Sequence, residues 1–274
     1  MLNADMIKDK WVQANKSKTA RDSTLRKHRP RLRSDHPGNS NYWIYGAHAT
    51  LAALKNPRRR CIRVIATSKF LGTHAQAHGL EKAEVRERAE IEDLLPYGAV
   101  HQGLAALFKP LSNLTLVQAL EETTAQKRAS VVVLDQATDP RNIGAVLRSA
   151  SGFGISCVVI QDRHAPPETG VMAKAASGAL ETTPIIRITN LARGLAKMKE
   201  YGFWCIGLDN SVKTILAKAQ LDGKIAFVYG AEGFGLRRLT RETCDALVRI
   251  PLRGEMKTLN LANAVSVSLY EWSR

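Results

Sequence analysis

The chain has 274 residues, with 40 Lys and Arg against 25 Asp and Glu, which gives a formal net charge of +15. This length allows one large or two modest domains with a real core. The sequence has no apolar run of about 18 residues and no apolar secretory leader, which excludes a membrane span and favours a cytoplasmic protein. The positive charge favours a polyanionic partner such as nucleic acid.

Residues 1 to about 40 form a basic arm with ten Lys and Arg residues, four Asp and few apolar residues. Such a segment cannot bury enough apolar surface to offset the entropy of ordering it. We therefore expect a disordered arm that folds against RNA. The alternatives are a solvated solubility tail and a mitochondrial presequence, and the aspartates disfavour the second.

The next part of the chain alternates between helical and strand patterns. The predicted helices cover residues 47–55, 68–78 and 91–95, and the predicted strands cover 61–66 and 103–108. This alternation indicates a small α/β domain over residues 41–112. A polar segment over residues 113–129 is expected to be a linker, helical in part.

From residue 130 to residue 274 the pattern becomes sharper. Short, continuously apolar runs rich in β-branched residues predict strands at 131–134, 157–160, 203–208, 225–229 and 246–250, with a further strand at 182–188. Helical segments separate these runs. Continuous apolar strands that alternate with helices are typical of a parallel sheet covered on both faces. We therefore expect a doubly wound α/β domain here.

Cysteine and histidine spacing gives no metal site. The four cysteines lie far apart and form no Cys-x-x-Cys pair, so buried reduced thiols are favoured over a disulfide framework or a zinc site: Cys61, Cys157, Cys205 and Cys244. His74 and His78 have helical ligand spacing but no third ligand, and we interpret them as surface residues. His101-Gln102-Gly103 precedes a strand and indicates a turn.

The first of three polar loops is residues 139–148, Asp-Pro-Arg-Asn-Ile-Gly-Ala-Val-Leu-Arg. Asp139 is suited to cap a helix, and a proline suits the first helical turn. Apolar residues then recur at the spacing of a buried helix face. Arg148 lies off that face, either as a solvent-facing cation or as a functional residue. Asn142 is either a functional residue or a second capping group.

The second loop, residues 229–235, reads Tyr-Gly-Ala-Glu-Gly-Phe-Gly and follows a predicted strand. Its glycines allow the backbone to approach a ligand closely. It is not a dinucleotide fingerprint, because Arg238 stands where the third glycine belongs. A Rossmann dehydrogenase is therefore disfavoured. Glu232 is interpreted as a ligand-binding residue, with capping of the following turn as the alternative.

The third loop, residues 250–260, reads Ile-Pro-Leu-Arg-Gly-Glu-Met-Lys-Thr-Leu-Asn and precedes an amphipathic helix. Thr258 and Asn260 are interpreted as functional residues, although either one can be only the helix cap. Ligands of open parallel sheets bind beyond the carboxyl ends of the strands. All three loops are predicted to lie there.

These three loops, in this order, resemble the signature motifs of the SpoU/TrmH group of the SPOUT RNA ribose 2′-O-methyltransferases. The resemblance covers about residues 42–272 and is closest to the bacterial enzymes that methylate a guanosine ribose in 23S rRNA. It implies a C-terminal domain with a trefoil knot that holds S-adenosylmethionine, a ribosomal-protein-like RNA-binding domain before it, and a homodimer. It implies no metal.

The resemblance also implies site residues. The implied catalytic residues are Asn142, Arg148, Glu232, Thr258 and Asn260, and the implied cofactor-binding residues are Gly230, Glu232, Ile250, Leu252 and Leu259. Thr258 departs from the serine usual in the family, but it keeps the hydroxyl. A tRNA or another rRNA site is the alternative substrate. A non-catalytic RNA-binding assembly factor is the alternative from another class.

Overall fold

A computed structural model describes residues 41–163 and 165–274 of the protein. The basic arm lies outside these residues, and with it the expectation that the arm is disordered and folds against RNA. Within the two described ranges, no helix is long and apolar enough to cross a membrane.

The first part of the described chain forms a small mixed sheet with the strand order β1-β4-β2-β3. Strand β4 pairs antiparallel with β1 and β2, and β3 pairs parallel with β2. The strands are β1 (Tyr42–Tyr45), β2 (Cys61–Ala66), β3 (Glu84–Val85) and β4 (Leu104–Phe108), and the helices are α1 (Ala47–Lys55), α2 (Ser68–Thr73) and α3 (Arg88–Asp93). The small α/β fold predicted for this part is confirmed.

Helix α2 is shorter than the sequence pattern predicted. It begins after Thr67, whose hydroxyl accepts a hydrogen bond from the Phe70 N–H, and it ends at Thr73 instead of residue 78. The N–H of His74 donates to two carbonyl groups of the last turn, and its ring stacks on Phe70 with the ring centroids 4.2 Å apart. His74 and His78 therefore do not share a helix.

The second part of the chain forms a six-stranded sheet with the order β10-β8-β9-β5-β6-β7, in which every pair is parallel. Its strands are β5 (Ala129–Leu134), β6 (Cys157–Gln161), β7 (Ile185–Ile188), β8 (Phe203–Leu208), β9 (Lys224–Tyr229) and β10 (Ala246–Val248). Its helices are α4 (Leu116–Glu121), α5 (Pro140–Gly152), α6 (Gly170–Ala176), α7 (Leu191–Glu200), α8 (Arg238–Thr243) and α9 (Leu261–Ser273). The predicted parallel α/β sheet is confirmed.

Both faces of this sheet are covered, which explains its continuously apolar strands. Along β5, Val132 and Leu134 belong to one core cluster, whereas Val131 and Val133 belong to the cluster on the opposite face. Successive side chains of a strand point to opposite faces, so both sets need an apolar residue. The first cluster continues into the small sheet through Ile44 and other residues, so the two sheets share one core.

Several strand boundaries differ from expectation by one to three residues, and one cysteine differs in burial. Strand β7 begins at Ile185 and not at residue 182, because Ala179–Glu181 forms a 3₁₀ turn before it. Strand β10 ends at Val248 and not at residue 250. All four cysteines are free, and burial was wrong for Cys61, which is exposed at the start of β2. The knot and the boundaries at residues 112 and 129 stay predictions.

Candidate active site

The three polar loops follow strands that are close neighbours in the large sheet. Strand β9 lies between β8 and β5, and β10 lies beside β8. Because the strands are parallel, their carboxyl ends and the loops that follow them lie at the same edge. The three motifs therefore converge there.

Asn142, Glu232 and Asn260, one residue from each motif, form a hydrogen-bonded group that we call the edge cluster. The Asn142 and Asn260 side-chain amides both donate to Oε1 of Glu232, at 3.0 and 3.1 Å. Asn260 also donates to Oδ1 of Asn142 at 3.1 Å. No hydrogen bond to Oε2 of Glu232 comes from residues 41–163 or 165–274. Three distant segments thus meet at one carboxylate.

Helix capping fixes the two amides of the edge cluster. Asp139 caps α5 by accepting a hydrogen bond from the Arg141 N–H at 2.8 Å, so Asn142 is not needed as the cap. Asn260 caps α9, since its Oδ1 accepts from the Ala262 N–H at 2.9 Å. Its Nδ2 is left to bond Glu232. Asn260 therefore combines the capping role and the cluster role that its sequence position left as alternatives.

A cavity of about 700 Å³ opens beside the edge cluster. All five implied cofactor-binding residues line it, together with Thr258 and Asn260. Ile250, Leu252 and Leu259 supply apolar wall. Pockets of this size with apolar walls and a few convergent polar groups are typical small-molecule sites.

Two apolar side chains at this cavity stand open to water. Phe234 is 92% exposed and Met256 is 74% exposed, and both line the cavity. Large exposed apolar side chains at a cavity mark a surface that a ligand can cover. Neither residue was predicted as a contact, although both lie within the second and third motifs.

The polar end of the cavity is formed by Asp209, Asn210 and Ser211, which follow strand β8 and were not predicted as site residues. Burial alone raises the pKa of the Asp209 carboxyl, but hydrogen bonds from Arg241 and Ser211 hold the pKa below its usual value. Asp209 is therefore a carboxylate at neutral pH. Its position directly after an apolar strand is a sequence signal that points to the same edge.

Gly230 is required by its own loop. The Ala231 and Gly235 backbones exchange two hydrogen bonds, at 3.1 and 2.9 Å, which fold the loop back on itself. A Cβ atom on Gly230 would overlap the carbonyl group of Gly235. The absence of a side chain at Gly230 therefore lets the loop close, whereas its position in the motif had suggested close approach to a ligand.

Asp135 and Arg237, which sequence analysis did not assign, anchor the far end of the same loop. The buried Asp135 carboxylate accepts from Nε of Arg237 at 2.7 Å and from its backbone N–H at 3.2 Å. Asp135 directly follows β5, so an acidic residue at the end of an apolar strand was the available signal.

The remaining two predicted catalytic residues, Arg148 and Thr258, make no hydrogen bond to the edge cluster. Arg148 is exposed and makes no ion pair or hydrogen bond with the residues that the structure describes. It lies six positions after Asn142 on α5, a separation of about 9 Å along the axis and roughly 240° around it. Thr258 is exposed and lines the cavity, but its hydroxyl bonds no described residue.

Two family descriptions match the chain. Residues 129–270 match the SpoU rRNA Methylase family, and residues 43–114 match the domain described as RNA 2′-O ribose methyltransferase substrate binding. The first match contains the whole large sheet and all three motifs. The second contains most of the small sheet.

Curated relatives match this chain over most of their own length. The chain is 37% identical over 248 residues to the 23S rRNA (guanosine-2′-O-)-methyltransferase RlmB of Vibrio vulnificus, which covers 85% of the chain and 96% of the relative. It is 36% identical over 241 residues to the enzyme of the same name from Coxiella burnetii, with 84% and 94% covered.

Solved structures share the fold. The SpoU methyltransferase AviRb from Streptomyces viridochromogenes, crystallised with the cofactor AdoMet, superposes with a TM-score of 0.69 at 18% identity, over 85% of this chain and 89% of AviRb. A structure described as an RNA 2′-O ribose methyltransferase gives 0.69 at 20% identity, over 85% and 87%. Together with the sequence matches and the meeting of the three motifs, these similarities show that the chain belongs to the SpoU rRNA methylase family.

Proposed function

We propose that this protein is an S-adenosylmethionine-dependent RNA methyltransferase that modifies the ribose 2′-hydroxyl of a guanosine in 23S rRNA. The observation that carries the proposal is the edge cluster, because it joins one residue of each motif beside a cavity of about 700 Å³. The RlmB enzymes that the chain resembles over most of its length support the choice of nucleotide and RNA.

The cavity suits S-adenosylmethionine in size and chemistry. Exposed Phe234 and Met256 offer apolar surface to an adenine ring. The Glu232 carboxylate also lines the cavity and suits a cationic ligand, whereas Asp209, which lines it too, is paired with Arg241. We assign cofactor contacts to the backbone at Gly230 and to the walls formed by Ile250, Leu252 and Leu259. When bound, this cofactor supplies a methyl group already activated by its positive sulfur.

The protein's own task is to orient the ribose hydroxyl and to ease its deprotonation. We propose that Asn142 and Asn260, fixed by Glu232, hold the ribose and the surrounding loops. We propose that Arg148 pairs with the phosphate beside the target ribose, so that this phosphate helps to take the proton. A guanidinium stays protonated near neutral pH, which makes this role more consistent with its chemistry than that of a base.

Arg148 also supports a homodimer. We propose that it acts on the edge cluster of a second copy, because it lies about 9 Å along α5 and roughly 240° around it from Asn142. A second copy packed on α5 and α9 would bring this guanidinium, which pairs with none of the described residues, towards the site. Helix α9 packs on α5 through a 2.7 Å Ser149–Ser266 contact and exposes Val267 and Tyr270, which a partner can cover. We place this homodimer in the cytoplasm.

We further propose residues 41–112 as an RNA-binding domain, residues 113–129 as its linker, and residues 130–274 as the knotted catalytic domain. The small sheet carries many cations, and the match over residues 43–114 is to a substrate-binding domain.

The test measures cofactor binding and methyl transfer separately. S-adenosylmethionine is titrated calorimetrically, and labelled methyl transfer is measured on 23S rRNA and on tRNA, followed by mapping of the modified nucleotide. We expect binding and one modified guanosine in 23S rRNA. Absence of cofactor binding would indicate a non-catalytic assembly factor, and modification of tRNA alone would overturn the substrate. Ribose methylation mapped in RNA from a deletion strain then identifies the native position.

A further inference from the structure

A buried group of charged residues lies where the small sheet meets the large one. Arg59 belongs to the small sheet, in the turn between α1 and β2, whereas Glu168 and Glu181 flank helix α6 of the large sheet. Their side chains are 0%, 13% and 5% exposed. We call these three residues the ion cluster. It lies outside the proposed active site, and the reaction described above makes no use of it.

Every side-chain nitrogen of Arg59 has a partner. Nε and Nη2 donate to the two carboxylate oxygens of Glu181, both at 2.9 Å, in a bidentate pair. Nη1 donates to Glu168 at 3.0 Å and to the Lys109 carbonyl at 3.4 Å. The planar guanidinium fork fits a carboxylate in one orientation, so this arrangement fixes direction as well as distance.

Neutral and charged neighbours complete the ion cluster. The Tyr42 hydroxyl donates to Glu168 at 2.6 Å, and the Asn56 amide donates to Glu181 at 2.7 Å. Burial, followed by the nearby Glu168 carboxylate, raises the pKa of the Tyr42 hydroxyl, so it remains a donor at neutral pH. Arg58 donates to the Glu181 carbonyl at 3.0 Å. Three residues of the small sheet and its turns thus donate to two carboxylates of the large sheet, and Arg58 adds a contact to the Glu181 backbone.

A second polar contact and two glycines hold the same junction. Gln102, at a left-handed φ of 57°, accepts a hydrogen bond from Nζ of Lys174 on α6 at 2.7 Å and one from the Ala47 N–H at 3.2 Å. A Cβ atom on Gly170 would overlap the Trp43 carbonyl oxygen, and one on Gly178 would lie 3.0 Å from Cβ of Ala52. The backbones of the two sheets therefore approach closely at this junction.

The energy of buried ion pairs indicates that the ion cluster controls the orientation of the two sheets as well as stability. Removing charges from water costs about as much as their pairing returns, and well-packed apolar residues often replace a buried ion pair without loss of stability. The hydrogen bonds of a bidentate ion pair are directional, so they favour one arrangement of the groups that carry them. A buried ion cluster between two sheets is therefore suited to hold their orientation.

We propose that Arg59, Glu168 and Glu181 hold the small sheet at one orientation to the large sheet, and that this orientation selects which nucleotide of the bound RNA reaches the edge cluster. Arg59 is then a positioning residue. The second half rests on the proposed function, because it needs an RNA bound across both sheets. The first half concerns the protein alone.

The experiment uses a neutral triple variant of the full-length protein, Arg59→Met, Glu168→Gln and Glu181→Met, which leaves no buried unpaired charge. Spin labels at Ala89→Cys and Lys218→Cys, both exposed positions, report the distance between the two sheets in a Cys61→Ser background. Arg63→Met is the matched control, because Arg63 and Glu84 form a bidentate pair within the small sheet, at 2.9 and 2.7 Å.

We expect a narrow distance distribution for the parent and the control, and a broad one for the neutral triple variant. We also expect that variant to lose on the order of 100-fold in kcat/KM on 23S rRNA and to modify additional nucleotides, while S-adenosylmethionine affinity is unchanged. A narrow distribution with the same single modified nucleotide would overturn the proposal. If the parent transferred no methyl group, the proposed function would fail, and the distance distribution would still decide the positioning role.

Discussion

The edge cluster and the ion cluster each centre on a glutamate that accepts several hydrogen bonds, but their surroundings are opposite. Glu232 is exposed, its partners are two neutral amides and one backbone N–H, and the structure describes no partner for its Oε2. Glu181 is 7% exposed as a whole residue, and both of its carboxylate oxygens accept hydrogen bonds from Arg59. The edge cluster therefore keeps a carboxylate oxygen that can accept a hydrogen bond from a ligand. In the ion cluster, both oxygens of Glu181 are used to join parts of the protein.

The first prediction concerns a substitution that removes the cation of the ion cluster. Arg59→Met leaves Glu168 and Glu181 buried without their cation, so we expect the free energy of unfolding to fall by about 3–5 kcal/mol. Denaturant titration measures this change. Arg63→Met breaks a more exposed pair, and we expect little change there. An equal fall in the free energy of unfolding for the two substitutions would contradict the difference between the buried pair and the exposed pair.

The second prediction concerns Arg148, which differs from Arg59 in having no partner among the described residues. Arg148→Ala is expected to lower single-turnover methyl transfer by about 10²- to 10³-fold, while calorimetric S-adenosylmethionine affinity is nearly unchanged. Arg148→Lys should also be poor, because a point charge does not reproduce bidentate phosphate contact. Arg238→Ala is the control, because Arg238 is an exposed cation outside the three motifs that pairs with Glu242 on α8. Turnover of Arg148→Ala near that of the parent would remove the proposed role.

The third prediction tests whether the folded loop that carries Glu232 of the edge cluster is needed for cofactor binding. Gly230→Val places a side chain where Gly235 already lies, so the loop carrying Glu232 must open. We expect S-adenosylmethionine affinity to fall by more than about tenfold, measured by calorimetry. Gly254→Ala is the matched control, since a Cβ atom there meets nothing within 4 Å. Unchanged affinity in a folded Gly230→Val protein would disprove the cofactor assignment.

The fourth prediction tests the hydroxyl at the cavity wall. Thr258→Ser should be close to neutral, whereas Thr258→Ala should lose about fivefold in methyl transfer, the worth of one hydrogen bond of about 1 kcal/mol. Steady-state rates on one RNA substrate compare the three proteins. Equal rates for all of them would leave Thr258 a structural residue.

The smallest expected effect is that of the basic arm. Deletion of residues 1–38 should weaken RNA affinity and make its salt dependence shallower, because each phosphate contact contributes roughly 0.7–0.9 to the log–log slope. Cofactor affinity and thermal stability should hold, since the arm has few apolar residues. An unchanged slope would identify the arm as a solubility tail and would place RNA binding on the two sheets.

The sequence by itself determined the elements and their class. Periodicity identified the strands of the large sheet and the buried stripe of α5, where Ile143, Val146, Leu147 and Ala150 are all fully buried. It also placed the motif loops after strands, because apolar runs followed by glycine and polar residues are local features. The ends of helices and strands were predicted less well. Helix α2 ends at Thr73, where His74 caps its last turn, and no residue pattern predicted that end.

Only the tertiary structure decided which side chains meet. Asn260 and Asn142 are 118 positions apart, and Arg59 and Glu181 are 122 positions apart. Neither pair has a period or a local signature, because the contact depends on strand order and on how the two sheets pack. The same reason explains Gly230, whose lack of a side chain is required by Gly235 across a folded loop. Local sequence patterns therefore determine which residues lie at each edge of a sheet, whereas the packing of distant segments determines which of them become neighbours.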